Sequence, residues 1–204
     1  MKYLAVFVSG TGTNLQAIID AIESGRLQDT RISVVVCNKK AAQGLERAKQ
    51  HNIPTIYLPY LPYRQQGLSR EDYDRDLTAR LCAFPVDLVV LAGWMRIFSL
   101  EFLRRYPHVL NIHPALPGTF PGMHAIAEAY DACQRGEISE TGVMVHWAPD
   151  EAVDSGPVVM SQPVAMYPSD TLEMLEARVH AVEHDLYVRA IAHVLDVELR
   201  ETVD

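Results

Sequence analysis

Asn111 and His113 stand at alternate positions in the apolar run VLNIH, directly before Pro114. Alternate residues of a strand share a face, so this spacing predicts that the amide and the imidazole point the same way. Proline removes the next ladder N–H group and ends the strand, which leaves His113 at the strand's mouth. Such a pair could bind or protonate a polar ligand. An asparagine cap beside a structural, hydrogen-bonded histidine explains the same pattern and is the more common case.

A carboxylate that could serve this pair lies in the acidic segment DEAVDSGP, which begins at Asp150 and includes Asp154. A carboxylate beside an imidazole favours its charged form and fixes the orientation of the ring. Acidic turns are also ordinary links between the strands of a hairpin. Spacing alone therefore leaves open whether Asp154 contacts His113.

The glycine-rich segment SGTGTN, from Ser9 to Asn14, separates an apolar run from a predicted helix. A turn of this kind lets backbone N–H groups at the start of a helix bind a phosphate. The segment lacks the Lys-Ser/Thr pair of a Walker A loop. It also has Leu15 where the dinucleotide fingerprint requires a third glycine. A phosphate site and a simple tight turn explain it equally well.

The segment AGWMRIF, from Ala92 to Phe98, follows the apolar run VDLVV. Exposing four large apolar side chains together would be costly, so they either pack in the core or line an apolar slot. Core packing is the favoured interpretation for most of them. The four residues are Trp94, Met95, Ile97 and Phe98.

The elements that must position these motifs alternate between strand and helix. Strands are predicted at YLAVFV, ISVVVC, PTIYLPY, VDLVVLA and HVLNIH, with helical periodicity between several of them, which is typical of a parallel sheet. TGVMVHWAP and GPVVMSQPVAM are joined by a short link and are expected to pair antiparallel. We therefore predict an α/β, Rossmann-like fold with a mostly parallel sheet, flanking helices and an antiparallel C-terminal extension. Ligands of such sheets bind at the carboxyl ends of the strands, where all four motifs are expected to lie.

Two helix starts and one long connection complete the prediction. Ser69 with Asp72 predicts a capped helix that runs to about Phe84, and Asp170 predicts the start of a helix of some twenty residues. The proline-rich segment LPYLPYRQQG is predicted as a loop. Whether its residues 60–67 form a lid or a static connector stays open.

Composition excludes some function classes. The chain has 204 residues and a net charge of −8, which argues against a nucleic-acid partner. Three scattered cysteines predict free thiols in a reducing compartment and no zinc site. The chain has no signal-peptide pattern and no apolar run of the roughly 20 residues that span a membrane, so we expect a cytoplasmic protein.

In their order along the chain, these motifs resemble those of the folate-dependent phosphoribosylglycinamide formyltransferases of purine biosynthesis. The resemblance runs from about Tyr3 to the last predicted helix. The Asn-x-His-Pro motif with a downstream aspartate is shared by the wider formyltransferase superfamily. SGTGTN and the VEH near the end are more particular to the glycinamide ribonucleotide branch. The chain has PALPG where many members have PSLLPK. The other matching segments are CNKKAAQGLERAKQHNIP, SREDYDRDL, VDLVVLAGWMRIFS, LNIHPALPGTFPGMHA, GVMVHWAPDEAVDSGPVV and RVHAVEHDLY.

The resemblance implies transfer of a formyl group from 10-formyltetrahydrofolate, the co-substrate, to the amine of glycinamide ribonucleotide, without a metal. It implies a single domain over residues 1–204, with a phosphate-binding half at about 1–92 and a folate and catalytic half at about 93–204. The partners would be small molecules, and the protein a monomer or homodimer. The implied catalytic residues are Asn111, His113 and Asp154, and the implied substrate-binding residues are Gly12, Thr13, Asn14 and Glu183. The implied folate-binding residues are Arg70, Met95, Arg96, Ile97, Phe98, Asn111 and Asp150.

Alternative functions stay open at this point. A formyltetrahydrofolate hydrolase would use the same trio with water as the acceptor, but usually carries an N-terminal regulatory domain, which we do not expect here. A methionyl-tRNA formyltransferase would need a C-terminal RNA-binding domain, and this acidic chain is not expected to have one. A non-catalytic folate- or nucleotide-binding module would bind ligand without turnover.

Overall fold

The first half of the chain alternates apolar strands with helices, as the sequence predicts. The computed structural model describes residues 1–200. The strands at the centre of the sheet are mostly buried, because helices cover both of its faces. In chain order the elements are β1 (Lys2–Val8), α1 (Thr13–Glu23), β2 (Thr30–Cys37), α2 (Gln43–Gln50), β3 (Thr55–Tyr57), α3 (Leu61–Gln65), α4 (Arg70–Leu81) and β4 (Leu88–Leu91).

The second half adds the last parallel strand, an antiparallel pair and a long helix. The last helix has 24 residues and packs against both the sheet and the first helix. The elements are α5 (Leu100–Arg105), β5 (Val109–His113), α6 (Ala125–Gln134), β6 (Glu140–Trp147), β7 (Val158–Ala165) and α7 (Leu172–Leu195).

The strands form one seven-stranded sheet in the order β3-β2-β1-β4-β5-β6-β7. The first five strands are parallel, and β5–β6 and β6–β7 are antiparallel. The predicted mostly parallel sheet with an antiparallel extension is thus confirmed. The chain adds β2 and β3 on one side of β1 and then β4 and β5 on the other, so the strand order reverses between β1 and β4. At such a point a crevice for ligands opens at the carboxyl ends of the two strands. SGTGTN follows β1 and AGWMRIF follows β4, so both motifs flank this crevice.

Side chains of the central strands divide between two apolar layers. On β1, Leu4 and Val6 pack with α1 and α7, whereas Ala5 and Phe7 pack with α4 and α5 on the other face. This alternation follows from the two-residue period of a strand. No helix within residues 1–200 is long and apolar enough to cross a membrane.

The predicted loop at residues 60–67 is wrong in part, because it contains the short helix α3. Pro62 lies in the first turn of α3, where a missing N–H group costs no intrahelical hydrogen bond and the fixed φ favours helix. A proline-rich composition therefore marks a helix start here rather than an irregular connector.

The capped start of α4 is confirmed, and the predicted start of α7 is wrong by one residue. Ser69 accepts a hydrogen bond from the Asp72 backbone, and the Asp72 side chain accepts from Ser69 N–H, but α4 ends at Leu81 rather than near Phe84. Thr171, not Asp170, caps α7. The Asp170 carboxylate instead accepts two hydrogen bonds from the Arg178 guanidinium, at 2.9 and 2.7 Å.

Tyr187 connects α7 to the sheet beneath the crevice. Its ring is fully buried, and its hydroxyl lies 3.1 Å from the Leu91 carbonyl oxygen and 2.9 Å from that of Leu110. The hydroxyl thereby joins β4 to β5.

We predict that Tyr187→Phe lowers the free energy of unfolding by about 1–3 kcal/mol, the cost of leaving buried carbonyl groups without a donor. Urea unfolding followed by circular dichroism measures the change. Tyr57→Phe, at an exposed side chain, is the control and should leave stability unchanged. Equal stability of both variants would contradict a structural role for the buried hydroxyl.

Candidate functional site

Asn111, His113 and Asp154 meet at the end of β5. The His113 Nδ1 atom lies 3.3 Å from Asp154 Oδ2, and Asn111 Nδ2 lies 3.2 Å from Asp154 Oδ1. His113 is 4% exposed, so the contact is shielded from solvent. The structure therefore answers the question that spacing left open: the acidic link between β6 and β7 places its last aspartate on the histidine.

The acceptors around His113 use both nitrogens of its ring. Nε2 lies 2.9 Å from the Phe120 carbonyl oxygen, and Nδ1 faces the Asp154 carboxylate. Both partners are acceptors, so each ring nitrogen is satisfied only when it carries a proton.

His146 is a site residue that sequence reasoning missed. It lies opposite Asn111 in the antiparallel β5–β6 pair, and its Nε2 is 3.0 Å from Asn111 Nδ2 and 3.6 Å from Asp154 Oδ1. Its Nδ1 faces the Trp147 carbonyl oxygen at 2.9 Å and so carries a proton. The alternation of the segment VMVHW was the available signal, because a polar residue at a buried position of a strand needs a partner.

The surroundings of Asp154 favour the ionised form of its carboxyl group. Burial opposes its ionisation, but the interaction with His146, the hydrogen bond from Gly122 N–H and the charge of His113 outweigh it and hold the pKa of Asp154 below its ordinary value. Gly122 N lies 3.0 Å from Asp154 Oδ2. The backbone of Asp154 has φ of 49°, a left-handed conformation that a non-glycine residue adopts only when its surroundings enforce it.

An apolar cavity of about 700 Å³ opens in front of this cluster. Trp94, Met95, Ile97 and Phe98 all line it. Met95 and Ile97 are 53% and 42% exposed, whereas Trp94 and Phe98 are buried and also pack against Phe7 in the core. The expected core packing of AGWMRIF is therefore right for two of its four apolar residues and wrong for the other two. Further lining comes from Leu91, Asn111, His113, Met123, Ala148, Asp150, Val153 and Asp154.

The predicted residues Arg70 and Arg96 both line this cavity. Arg70 pairs with Glu151 at 2.6 Å, and the Arg96 guanidinium lies 3.4 Å above the centre of the Tyr60 ring. Asp150, also predicted, accepts a hydrogen bond from Ala152 N–H within its own loop. Cationic groups and an apolar wall together would suit a flat ligand with an anionic end.

The glycine-rich turn lies at the start of α1. Gly12 is the N-cap with φ of 71°, and a Cβ atom there would lie 2.8 Å from Gly44 Cα, so a glycine is needed for both conformation and space. Asn14 is buried and its Oδ1 atom has no hydrogen-bond partner within the described residues.

Arg47, which sequence reasoning missed, donates to the Thr11 carbonyl oxygen at 2.9 Å and holds the turn from α2. Thr13 is the first residue of α1, so its N–H group belongs to the free helix end that attracts anions.

Glu183 lies on α7, one turn before Tyr187, and is 5% exposed. Its Oε2 atom lies 2.6 Å from His180 Nδ1, and this hydrogen bond raises the pKa of His180 against the opposing effect of burial. Within residues 1–200, no group of three or more histidine, cysteine, aspartate or glutamate side chains is arranged so that it could hold a metal ion.

The chain is similar to known formyl transferases over nearly its whole length. A family model described as formyl transferase matches residues 2–191. A phosphoribosylglycinamide formyltransferase of Schizosaccharomyces pombe is 42% identical over 200 residues, covering 94% of this chain and 96% of that protein. One from Escherichia coli is 39% identical over 198 residues, covering 97% and 89%.

Solved structures resemble the whole fold. The phosphoribosylglycinamide formyltransferase of Bacillus halodurans superposes with a TM-score of 0.86 at 37% identity, covering 95% of each chain. Glycinamide ribonucleotide transformylase 1 of Symbiobacterium toebii has a TM-score of 0.87 at 34% identity, covering 98% of this chain and 95% of its own.

We predict that His146→Gln raises the pKa of Asp154 towards the ordinary aspartate value of about 3.9, because the variant loses the imidazole that favours the carboxylate. Titration of the Asp154 carboxyl carbon by NMR, assigned with Asp154→Asn, measures the shift. His51→Gln, at the end of α2, is the control and should leave it unchanged. An unchanged or lowered pKa in His146→Gln would contradict the role given to His146.

Proposed function

The chain belongs to the formyl transferase family, and we propose that it transfers the formyl group of 10-formyltetrahydrofolate to the amine of glycinamide ribonucleotide in purine biosynthesis. The observation that carries the proposal is the contact of Asn111, His113 and Asp154 at one end of an apolar cavity. Relatives that match nearly the whole chain have the same activity in their names.

Two binding regions support the two substrates. The cavity, with exposed Met95 and Ile97 and the guanidinium groups of Arg70 and Arg96, suits the flat ring system and anionic end of the folate. Phe98 shapes its base from the core, and Asp150 belongs to the loop at its rim.

The turn at the start of α1 suits the phosphate of the ribonucleotide. Backbone N–H groups at Gly12, Thr13 and Asn14 lie at a free helix N-terminus and can donate to phosphate oxygens. We assign Glu183 to the same substrate. In this proposal residues 1–204 form one domain, in which about 1–92 supply the phosphate turn and about 93–204 most of the folate and catalytic residues.

The reaction proceeds by direct attack of the amine on the formyl carbon, which places negative charge on the formyl oxygen. The folate co-substrate supplies the formyl group and leaves as tetrahydrofolate. Asn111 Nδ2 and the His113 imidazolium are the donors that stabilise the developing oxyanion. Asp154 favours the charged ring and fixes its orientation through the 3.3 Å contact.

Internal hydrogen bonds must be exchanged before these donors reach a substrate. Asn111 Nδ2 donates to Asp154 Oδ1, and His113 Nε2 faces the Phe120 carbonyl oxygen. A formyl oxygen therefore competes with Phe120 for His113. The protein's own acceptors keep the donors oriented until the substrate replaces them.

The proton lost by the attacking amine has to reach the departing folate nitrogen. His113 lies beside the Asp154 carboxylate, so the imidazole can release one proton and accept the other while its orientation is kept. A water molecule held by Asp154 and His113 could perform the same relay. This relay requires no covalent link between protein and substrate.

The remaining parts of the proposal concern partners and location. We propose that small molecules are the only ligands, that nucleic acid is not bound, and that the protein acts as a monomer or homodimer in the cytoplasm. The net charge of −8 and the free thiols of Cys37, Cys82 and Cys133 support this.

The test is release of tetrahydrofolate from 10-formyltetrahydrofolate with and without glycinamide ribonucleotide. We expect release only with the ribonucleotide, and we expect His113→Ala and Asp154→Asn each to lower kcat at least about a hundredfold, as loss of an acid–base or oxyanion group does. Release without the acceptor would indicate a hydrolase instead. Binding without turnover would indicate a non-catalytic module, and near-normal turnover by both variants would refute the assigned residues.

Substitutions in the glycine-rich turn should affect the binding of one substrate more than that of the other. We predict that Thr13→Ala and Asn14→Ala raise KM for the ribonucleotide more than KM for the folate, because they alter the helix end that faces the phosphate. Steady-state kinetics with each substrate varied in turn measures the split. A larger change in the folate KM would place the phosphate elsewhere.

A further inference from the structure

The loop that carries Asp154 is attached to the rest of the protein at few points. At the base of the loop, the two backbone segments that enter and leave it approach closely. A Cβ atom on Gly156 would lie 1.8 Å from the Trp147 carbonyl oxygen. At its inner end Asp154 contacts His113 and Gly122. Between these points Val153 is 49% exposed, so no apolar packing fixes the middle of the loop.

Glu151 forms a second attachment, to residues of α4 and α5. Its Oε1 atom accepts a hydrogen bond from the Leu100 N–H group at 3.1 Å, and its Oε2 atom lies 2.6 Å from the Arg70 guanidinium. Arg70 is the first residue of α4 and Leu100 the first of α5. One carboxylate therefore ties the loop to two helix starts, where free N–H groups favour an acceptor.

The conformation of Asp154 makes such an attachment necessary. Its φ of 49° is unfavourable for a residue with a side chain and persists only when neighbouring contacts enforce it. Only two residues separate Glu151 from Asp154, and both are exposed. The position of Glu151 thus limits the conformations that the Asp154 backbone can adopt.

We propose that Glu151 is a positioning residue, which holds the loop against α4 and α5 and thereby keeps the Asp154 carboxylate on His113 and Asn111. This inference rests on the proposed function, in which Asp154 serves the transfer. Glu151 itself touches neither Asn111 nor His113 in this arrangement; it acts through the backbone of the loop.

Three variants test the proposal. Glu151→Ala removes both attachments. Glu151→Gln keeps an oxygen that can accept from Leu100 N–H but removes the charge that faces Arg70. Glu101→Ala is the matched control, because Glu101 lies on α5 and pairs with Arg75 at 3.4 Å, while neither residue lines the cavity.

Glu151→Ala should lower kcat about tenfold or more, since small displacements of a catalytic group cost one to two orders of magnitude. The KM for the ribonucleotide should stay unchanged, and Glu151→Gln should recover part of the loss. Hydrogen exchange measured by mass spectrometry should be faster at residues 150–155 in Glu151→Ala than in the wild type.

The pH profile separates positioning from a general structural effect. The pKa of Asp154 is lowered by contacts that a loosened loop loses, so the carboxylate of Glu151→Ala should protonate at a higher pH. The acidic limb of kcat should then move to higher pH in Glu151→Ala and stay in place in Glu101→Ala.

Two results would overturn the inference. One is a Glu151→Ala protein with wild-type kcat, whatever its exchange rates. The other is a lowered kcat with unchanged exchange at residues 150–155 and an unchanged acidic limb. A wild-type protein without transferase activity would refute the proposed function alone, and the exchange rates would still decide whether Glu151 holds the loop.

Discussion

The structure depends on one largely buried carboxylate, that of Asp154, whose charge is balanced at the end of β5. His113 Nδ1, Asn111 Nδ2 and Gly122 N–H all approach its two oxygens, at 3.3, 3.2 and 3.0 Å. A buried charge is costly unless it is paired and hydrogen-bonded. Each of these groups is therefore constrained by the others, and together they determine where the loop between β6 and β7 must lie.

The sheet topology supplies the partners from different parts of the chain. The reversal of strand order between β1 and β4 opens the crevice that the glycine-rich turn and the cavity wall flank. The change from parallel to antiparallel pairing at β5–β6 brings His146 opposite Asn111. A continued parallel sheet would need a crossover connection there, and the acidic hairpin could not return Asp154 to the mouth of β5.

The orientation of the donors is maintained by the protein's own acceptors. Phe120 accepts from His113, and Asp154 accepts from Asn111, so neither donor is free in this conformation. A donor that is already aligned loses little side-chain freedom when a substrate takes the place of its internal partner. The same feature makes the site sensitive to the backbone that presents Phe120 and Asp154, both of which have positive φ.

The sequence by itself determined the strands, most helices, the parallel and antiparallel halves, and the meeting of motifs at one edge. Local patterns carry this information, because apolar alternation, caps and glycines act within a few residues. Even so, the sequence prediction placed the start of α7 one residue early, because Asp170 and Thr171 are both suitable caps. It also missed α3, because proline occurs both in loops and in the first turn of helices. Only the tertiary structure decided that Asp154 reaches His113, that His146 joins them, that Met95 is exposed in the cavity while Trp94 is buried, and that Glu151 contacts Arg70. These contacts join residues far apart along the chain, and their distances depend on strand register and loop path, which no local pattern encodes.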